Sequence, residues 1–175
     1  MSQAFRLADG GLVDRSRTLP FRFDGKDYAG HPGDTLASAL LANGVHLVGR
    51  SFKYHRPRGI FSAGAEEPNA LVTLGEGERS EPNARATQVE LFAGLSARPQ
   101  HCWPRLDFDA GRLNDSLGRF FPAGFYYKTF MWPPRSWPLY EHFIRRAAGL
   151  GRIDADHDRA RYDKSHAHCD LLVIG

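Results

Sequence analysis

Two features are scarce in this 175-residue sequence, and each shortage excludes a class of protein. Only two cysteines are present, Cys102 and Cys169, and their wide separation gives no disulfide framework. No apolar run approaches the roughly 18 residues that cross a membrane, and the N-terminal 20 residues lack the apolar centre of a secretory signal. We therefore expect a cytoplasmic protein with reduced thiols and no membrane partner.

A large excess of charge of one sign is also missing. The formal net charge is +3 and the isoelectric point is about 9.0, without the extended basic stripe of a nucleic-acid-binding domain. Nucleic acid is therefore not an expected partner. The positive charge that is present is local, because four basic residues fall within nine positions: Arg50, Lys53, Arg56 and Arg58.

The residues after a polar, aperiodic arm at 1–18 predict a hairpin and a helix. We expect the arm to be mobile or draped on a partner. Alternating apolar residues from Leu19 to Phe23 predict a strand, the dipeptide Asp24-Gly25 a tight turn, and Tyr28 the returning strand. The segment "TLASALLANG" then predicts a helix capped by Asp34 or Thr35 and ended by Gly44.

The next elements complete a small domain over residues 19–98. A long loop at 50–68 precedes two segments, 70–74 and 87–95, that predict strands separated by a charged turn region. A hairpin, a helix, a long loop and two further strands form the element order of a β-grasp domain. The predicted fold class is therefore α+β.

The rest of the chain changes in character at about residue 99. We interpret 99–168 as an aromatic connecting segment that packs on another surface, with a helix near 139–148. Residues 169–175, "CDLLVIG", predict the first strand of a truncated nucleotide-binding domain, and Gly175 would start an incomplete dinucleotide turn. On this interpretation the chain is the front of a longer polypeptide.

Four motifs carry a resemblance that runs along nearly the whole chain. The segments "FDGKDYAGHPGDTLASALLANGV", "RSFKYHRPRGIFSAGAEEPNALV", "FYYKTFMWP" and "RYDKSHAHCDLLVIG" resemble the N-terminal part of the α subunit of heterotetrameric sarcosine oxidase. That family, with related amine and opine oxidase subunits, places a ferredoxin-like β-grasp domain before an FAD/NAD-type Rossmann domain. The strand matching "DLLVIG" runs into the glycine-rich turn of that second domain.

The resemblance implies a function for the complete protein. It would be a cytoplasmic enzyme of several subunits that oxidatively demethylates sarcosine to glycine, with FAD, FMN, NAD and tetrahydrofolate as cofactors and oxygen as acceptor. None of those cofactor sites is expected within these 175 residues, and no catalytic residue is assigned to them. The implied role is structural, with the downstream Rossmann domain and the other subunits as partners.

A plant-type 2Fe-2S cluster is the main alternative. Such a cluster needs four thiolates, three of them in a C-x4-C-x2-C loop. Aligned after the "RPRG" stretch, that spacing falls on Ser62, Glu67 and Ala70, with the fourth position near 84–86, and none of these residues is a cysteine. We expect no metal site here, which argues against an electron-transfer domain of an amine or opine oxidase.

The four basic residues from Arg50 to Arg58 have two main interpretations. They could converge on a flavin or dinucleotide phosphate, since guanidinium groups match phosphate oxygens. They could instead pair with carboxylates of a partner domain, which is the commoner use of such loops. Aromatic residues between them also allow stacking on single-stranded nucleic acid, although the rest of the chain does not support this reading.

One further cluster stands near the end of the chain. It contains Asp163, His166, His168 and Cys169, which could be written as a metal site. No second ligand pair at zinc-finger spacing accompanies it, so a polar connecting segment is favoured.

Overall fold

A computed structural model describes residues 3–120, 124, 132–133, 135–152 and 164–173. Its first elements are two antiparallel strands, β1 (Leu19–Phe23) and β2 (Lys26–Gly30). Asp24 and Gly25 between them both have positive φ, 49° and 76°, as the two central residues of a type I′ hairpin turn require. The predicted hairpin is confirmed.

The helix α1 (Leu36–Ala42) is confirmed with its predicted ends. Thr35 is the N-cap: its hydroxyl accepts from the Ser38 N–H at 3.1 Å, and the Ser38 hydroxyl accepts from the Thr35 N–H at 3.0 Å. This reciprocal pair satisfies two backbone donors at the helix start. Gly44 has φ +76°, so the chain leaves the helix through the left-handed conformation that glycine favours.

The domain is built on one mixed sheet. Its other strands are β5 (Leu71–Leu74), β6 (Glu81–Arg85) and β7 (Leu95–Pro99), with a 3-10 turn at Gly77–Arg79. The strand order is β2-β1-β7-β5-β6, in which β1 and β7 run parallel and every other pair is antiparallel. Two further short strands, β3 (Gly49–Arg50) and β4 (Pro57–Arg58), form a separate ribbon inside the predicted loop.

The core lies where α1 packs on the sheet. The largest fully buried apolar side chains are Phe23, Leu36, Leu40, Val48, Val72 and Leu95. Leu106 also belongs to this cluster, although it lies beyond the predicted domain end at residue 98. Burial of such side chains is the main stabilising contribution in a domain of this size.

The strand predicted at 87–95 is wrong, and the sequence did not predict β6 or, apart from its first residue, β7. Residues 87–94 cross the start of α1 instead, where the carbonyl of Val89 accepts from the Leu36 N–H at 2.8 Å. Their backbone thus satisfies helix donors rather than a strand partner. β6 contains Pro82, which hides its strand character, but β6 lies at the sheet edge where proline is tolerated.

The N-terminal arm lies against its own domain from residue 3 onward. The Phe5 ring packs edge-on against His46 with 4.9 Å between ring centroids. The Arg6 guanidinium makes two hydrogen bonds to the buried Asp34 carboxylate, at 3.1 and 2.6 Å. The arm was expected to be mobile or partner-bound, and the difference arises because a buried carboxylate needs a cationic partner.

The connecting segment is mostly exposed. It forms a 3-10 turn (Ala110–Arg112), the short helix α2 (Leu113–Ser116), a second 3-10 turn (Gly118–Phe120) and the helix α3 (Trp137–Ala147). The helix predicted near 139–148 thus begins two residues earlier. Most of the aromatic run between 120 and 132 lies outside the described residues.

The strand predicted at 169–175 is not seen among the described residues. Residues 164–173 are neither strand nor helix, and the side chains of Leu171, Leu172 and Val173 are exposed. A buried parallel strand requires neighbouring strands, so the nucleotide-binding strand stays a prediction. Gly175 lies outside the described residues. Among the described helices, none is long and apolar enough to cross a bilayer.

Candidate functional site

Arg50 is the most buried of the four basic residues. Only 7% of its surface is exposed, and its side chain reaches Asp109 in the connecting segment, with 3.2 Å between Nε and Oδ2. The guanidinium also donates to the backbone carbonyl of Leu106 at 3.1 Å and to that of His55 at 3.0 Å. Each of the three guanidinium nitrogens of Arg50 thus has an acceptor within the chain.

Asp109 organises this buried site. Its Oδ2 lies 2.7 Å from His55 Nδ1, and its Oδ1 accepts from the backbone N–H of Trp103 at 3.2 Å and of Gly111 at 2.9 Å. Gly111 is needed here because a Cβ atom at that position would overlap the His55 ring. The carboxylate therefore joins the β3–β4 ribbon to the connecting segment.

The other basic residues of the loop lie at the surface. Arg56 pairs with Asp115 at 2.8 Å, and both Lys53 and Arg56 lie over the Tyr54 ring, 4.9 and 4.8 Å from its centroid. Arg58 is exposed and makes no side-chain hydrogen bond or ion pair with a described residue. Arg50 and Arg56 thus pair with carboxylates, as the alternative interpretation expected, but those carboxylates belong to the same chain.

A cavity of about 440 Å³ lies beside the buried pair, between the ribbon, the end of β7 and α3. Of the four basic residues only Arg50 lines it. The other polar or ionisable side chains around it are those of Ser51, His55, Gln100, His101, Cys102 and Arg146. Its walls combine the aromatic side chains of Phe52, Trp103 and Phe143 with the cationic side chains of Arg50 and Arg146.

Two titratable groups of this cavity are held in their neutral forms. Burial raises the pKa of Cys102 to about 12, assisted by the negative charges of Asp24 and Asp109. Burial and the nearby His55 lower the pKa of His101. A protonated thiol is a poor nucleophile and a poor metal ligand, so the cavity lacks an activated cysteine.

The loop that follows β4 holds a second buried carboxylate, on Glu67. It accepts from four backbone N–H groups, those of Phe61, Ser62, Asn69 and Ala70. The three positions expected for cluster cysteines, Ser62, Glu67 and Ala70, all belong to this loop. Among the described residues there is no group of three or more side chains placed to hold a metal, and His166, His168 and Cys169 are exposed.

Sequence reasoning missed the three buried carboxylates as site residues. Asp34 was recognised only as a helix cap, Glu67 only as a non-cysteine, and Asp109 not at all. The pattern Asp109-Ala110-Gly111 carries a usable signal, because aspartate two residues before a glycine favours a side-chain bond to that glycine's N–H. The partners of these carboxylates lie far along the chain and leave no local pattern.

Comparison with known proteins links this fold to a family. Residues 16–102 match the family model described as a 2Fe-2S iron-sulfur cluster binding domain. The solved structure of L-proline dehydrogenase from P. horikoshii aligns over 55% of this chain and 18% of its own, with a TM-score of 0.41 and 22% identity. That structural likeness is too weak to carry an argument.

Curated relatives match almost the whole chain. "Sarcosine oxidase subunit alpha" of Rhizobium meliloti (strain 1021) is 64% identical over 98% of this chain, which spans 18% of that relative. The subunits of Corynebacterium sp. strains U-96 and P-1 are 33% and 36% identical over 95% and 93% of this chain, spanning 13% and 12% of those relatives. The chain is therefore homologous to the N-terminal region of sarcosine oxidase α subunits.

Proposed function

We propose that this chain is the N-terminal structural and assembly domain of the α subunit of a sarcosine oxidase complex. The complete enzyme would oxidatively demethylate sarcosine to glycine, with tetrahydrofolate and oxygen as acceptors. The identity of 64% to the Rhizobium meliloti subunit supports the choice of family. The assembly role rests on a separate observation, the distribution of apolar surface.

Exposed apolar side chains are concentrated in the connecting segment. Those with more than half of their surface exposed are Trp103, Phe108, Leu113, Phe120, Trp132, Trp137, Leu139 and Phe143. A soluble protein seldom leaves so many large apolar groups in one region without a partner. The downstream Rossmann domain of the same subunit and the other subunits are the proposed partners, since the chain spans only 18% of the Rhizobium meliloti subunit.

The cofactors FAD, FMN, NAD and tetrahydrofolate are proposed for the complete enzyme and none of them for this domain. Within the domain, Arg50, Lys53, Arg56 and Arg58 are the proposed contacts with a flavin or dinucleotide phosphate, and Arg58 is the most accessible of them. Its side chain is exposed and unpaired among the described residues, whereas Arg50 and Arg56 are engaged with Asp109 and Asp115. Lys53 lies at the same surface, over Tyr54.

Electron transfer through a 2Fe-2S cluster is the second candidate, favoured by the family model that matches residues 16–102. The donor set does not fit it. The loop offers a hydroxyl, a carboxylate and a methyl group at the three ligand positions, and the chain has two cysteines where such a cluster needs four thiolates. We therefore derive no redox step in this domain.

Co-purification tests the assembly role. The chain would be co-expressed with the remainder of the α subunit and the other subunits, and the complex would be separated by size exclusion. We expect the chain to elute with the complex, and we expect a Trp137→Asp, Leu139→Asp double variant to elute apart from it. A Phe61→Asp, Phe92→Asp variant is the matched control, because those exposed apolar side chains lie on the β-grasp domain.

Equal retention of all three proteins in the complex would contradict the assembly surface. Loss of retention only for the control variant would place the docking surface on the β-grasp domain instead. Circular dichroism of each variant would establish that the substitutions leave the fold intact, as expected for exposed positions.

A further inference from the structure

The Glu67 carboxylate lies at the centre of a loop formed by residues 59–70. Oε2 accepts from the N–H groups of Phe61 at 2.7 Å and Ser62 at 2.6 Å, and Oε1 accepts from those of Asn69 at 2.7 Å and Ala70 at 3.3 Å. Only 1% of the Glu67 surface is exposed. Two stretches of backbone that are separated in sequence thus converge on one side chain.

Other contacts fasten the same loop to the domain. The Asn69 side-chain amide donates to the Gly59 carbonyl at 3.1 Å, and the Thr87 hydroxyl donates to the Gly64 carbonyl at 2.7 Å. Arg85 Nε donates to the backbone carbonyl of Glu67 at 3.3 Å, not to its carboxylate. The loop is therefore held at both ends and at its middle.

Among the described residues, backbone N–H groups compensate the buried charge of Glu67. No described cation forms an ion pair with its carboxylate. Burial by itself would raise the pKa of Glu67, but the hydrogen bonds from Ser62, Asn69, Phe61 and Ala70 outweigh burial and lower it. The loop is thus a ring of N–H donors that selects an anion.

The ring of N–H donors around Glu67 lies at the positions where the ligand spacing of an iron-sulfur cluster falls on this sequence. The C-x4-C-x2-C pattern falls on Ser62, Glu67 and Ala70, so two of the three positions donate N–H groups to the side chain of the third. In iron-sulfur proteins, thiolates hold the irons and hydrogen bonds reach the sulfurs, so that a loop encloses an anionic group. The oxygens of a carboxylate can accept hydrogen bonds from such N–H groups without any metal.

We propose that the Glu67 carboxylate is a built-in anion that replaces an iron-sulfur cluster, so that the loop closes on a side chain of its own chain. Two consequences follow. The four N–H groups already bond the Glu67 carboxylate and are not available to an external anion, and the order of the loop depends on the negative charge of that one residue. This inference concerns the loop alone and holds whichever surface the domain uses for assembly.

Amide hydrogen exchange on Glu67→Gln tests the proposal. A glutamine keeps the shape but loses the charge, and its NH2 group would face two N–H donors that need an acceptor. We expect the protection factors of residues 61, 62, 69 and 70 to fall by roughly ten- to hundredfold, the loss expected for hydrogen bonds to a charged acceptor. Protection in β1 and α1 should stay near the wild-type value.

Glu66→Gln is the matched control, since its carboxylate is exposed and adjacent in sequence, and its hydrogen bonds come from its own N–H, the Gly64 N–H and the Ser62 side chain, not from the four N–H groups around Glu67. It should leave the protection of the same four amides unchanged. Unchanged protection in Glu67→Gln, or an equal loss in both variants, would overturn the proposal. If Glu67→Gln does not fold, NMR titration of the wild-type carboxyl decides: a pKa below the ordinary 4.5 supports the proposal, and one at or above 4.5 contradicts it.

Discussion

The β-grasp domain and the connecting segment use apolar residues in opposite ways. In the domain, side chains such as Phe23 and Leu40 are fully buried between the sheet and α1. In the connecting segment, side chains such as Trp103 and Leu139 have well over half of their surface exposed. The first region has a core of its own, whereas the second presents an apolar surface that would need an outside partner.

The boundary between the two regions lies later than the sequence indicates. Leu106 belongs to the core, and Asp109 pairs with Arg50 of the β3–β4 ribbon, although both residues follow the predicted domain end at 98. A truncation at about residue 100 would remove both. A cut after residue 120 would keep them and so is the better design for an isolated domain.

The largest loss of unfolding free energy is expected when the buried ion pair between Arg50 and Asp109, which joins the two regions, is broken. Asp109→Ala leaves the Arg50 guanidinium buried without its counter-charge, which costs about 3–5 kcal/mol of unfolding free energy. Urea unfolding of the chain measures this loss. Asp107→Ala, which removes an exposed partner of Lys26, is the control and should leave the midpoint unchanged. Equal midpoints for both variants would contradict a structural role for Asp109.

Replacing one leucine by alanine in each region compares how much each region's apolar side chains contribute to the unfolding free energy. Leu40→Ala should lower the unfolding free energy by about 2–5 kcal/mol, because it opens a cavity in the core. Leu139→Ala, on the exposed face of α3, should change it by less than about 0.5 kcal/mol. A comparable loss for Leu139→Ala would mean that α3 packs on the domain more tightly than its exposure indicates.

We expect the β-grasp domain to lose stability at low pH, because it contains the buried Asp34 carboxylate. Burial would raise the pKa of Asp34, but its hydrogen bonds with Arg6, Ser38 and the His31 N–H prevail and lower the pKa below 3.8. The stability it contributes is therefore complete above the unfolded-state pKa and is lost as the pH falls below about 5 and through the folded-state value.

The variant Asp34→Asn removes that contribution. It should lose about 1–3 kcal/mol at pH 7 and show a flatter decline of unfolding free energy between pH 5 and 2. Asp27→Asn, an exposed residue paired with Arg22, is the control and should keep the wild-type pH profile. The same profile for both variants would show that Asp34 carries no charge-dependent stability.

The smallest effect is expected at Arg58. Arg58→Ala should leave the unfolding midpoint of the chain unchanged, since its side chain has no described partner. In the complete enzyme the same variant should bind its flavin or dinucleotide less tightly, measured by cofactor content after dialysis. Full cofactor retention would remove Arg58 from the proposed phosphate contact.

Local patterns predicted the hairpin and α1, because turn and cap residues act on their immediate neighbours. Asp24, Gly25, Thr35 and Gly44 occupy the positions that these residue types favour. The strand at 87–95 was wrong for a long-range reason: its backbone bonds the start of α1, fifty residues earlier in the chain. Nothing in the apolar alternation of that segment carries this information.

The buried carboxylates could not be predicted in the same way. Asp109 reaches Arg50 and His55 across more than fifty residues, and Asp34 reaches Arg6 in an arm that was expected to be mobile or bound to a partner. Glu67 was singled out by spacing, but only as a residue that is not the cysteine required by an iron-sulfur cluster. Its ring of N–H donors depends on loop conformation, which composition does not determine.

Iron and acid-labile sulfide analysis with a visible absorption spectrum, on protein purified anaerobically, tests the central claim most directly. The claim is that this β-grasp domain holds a carboxylate where a cluster-binding domain holds its cluster. We predict a colourless protein without stoichiometric iron or sulfide, before and after incubation with ferrous iron and sulfide. Two irons and two sulfides per chain, with a matching visible spectrum, would contradict it.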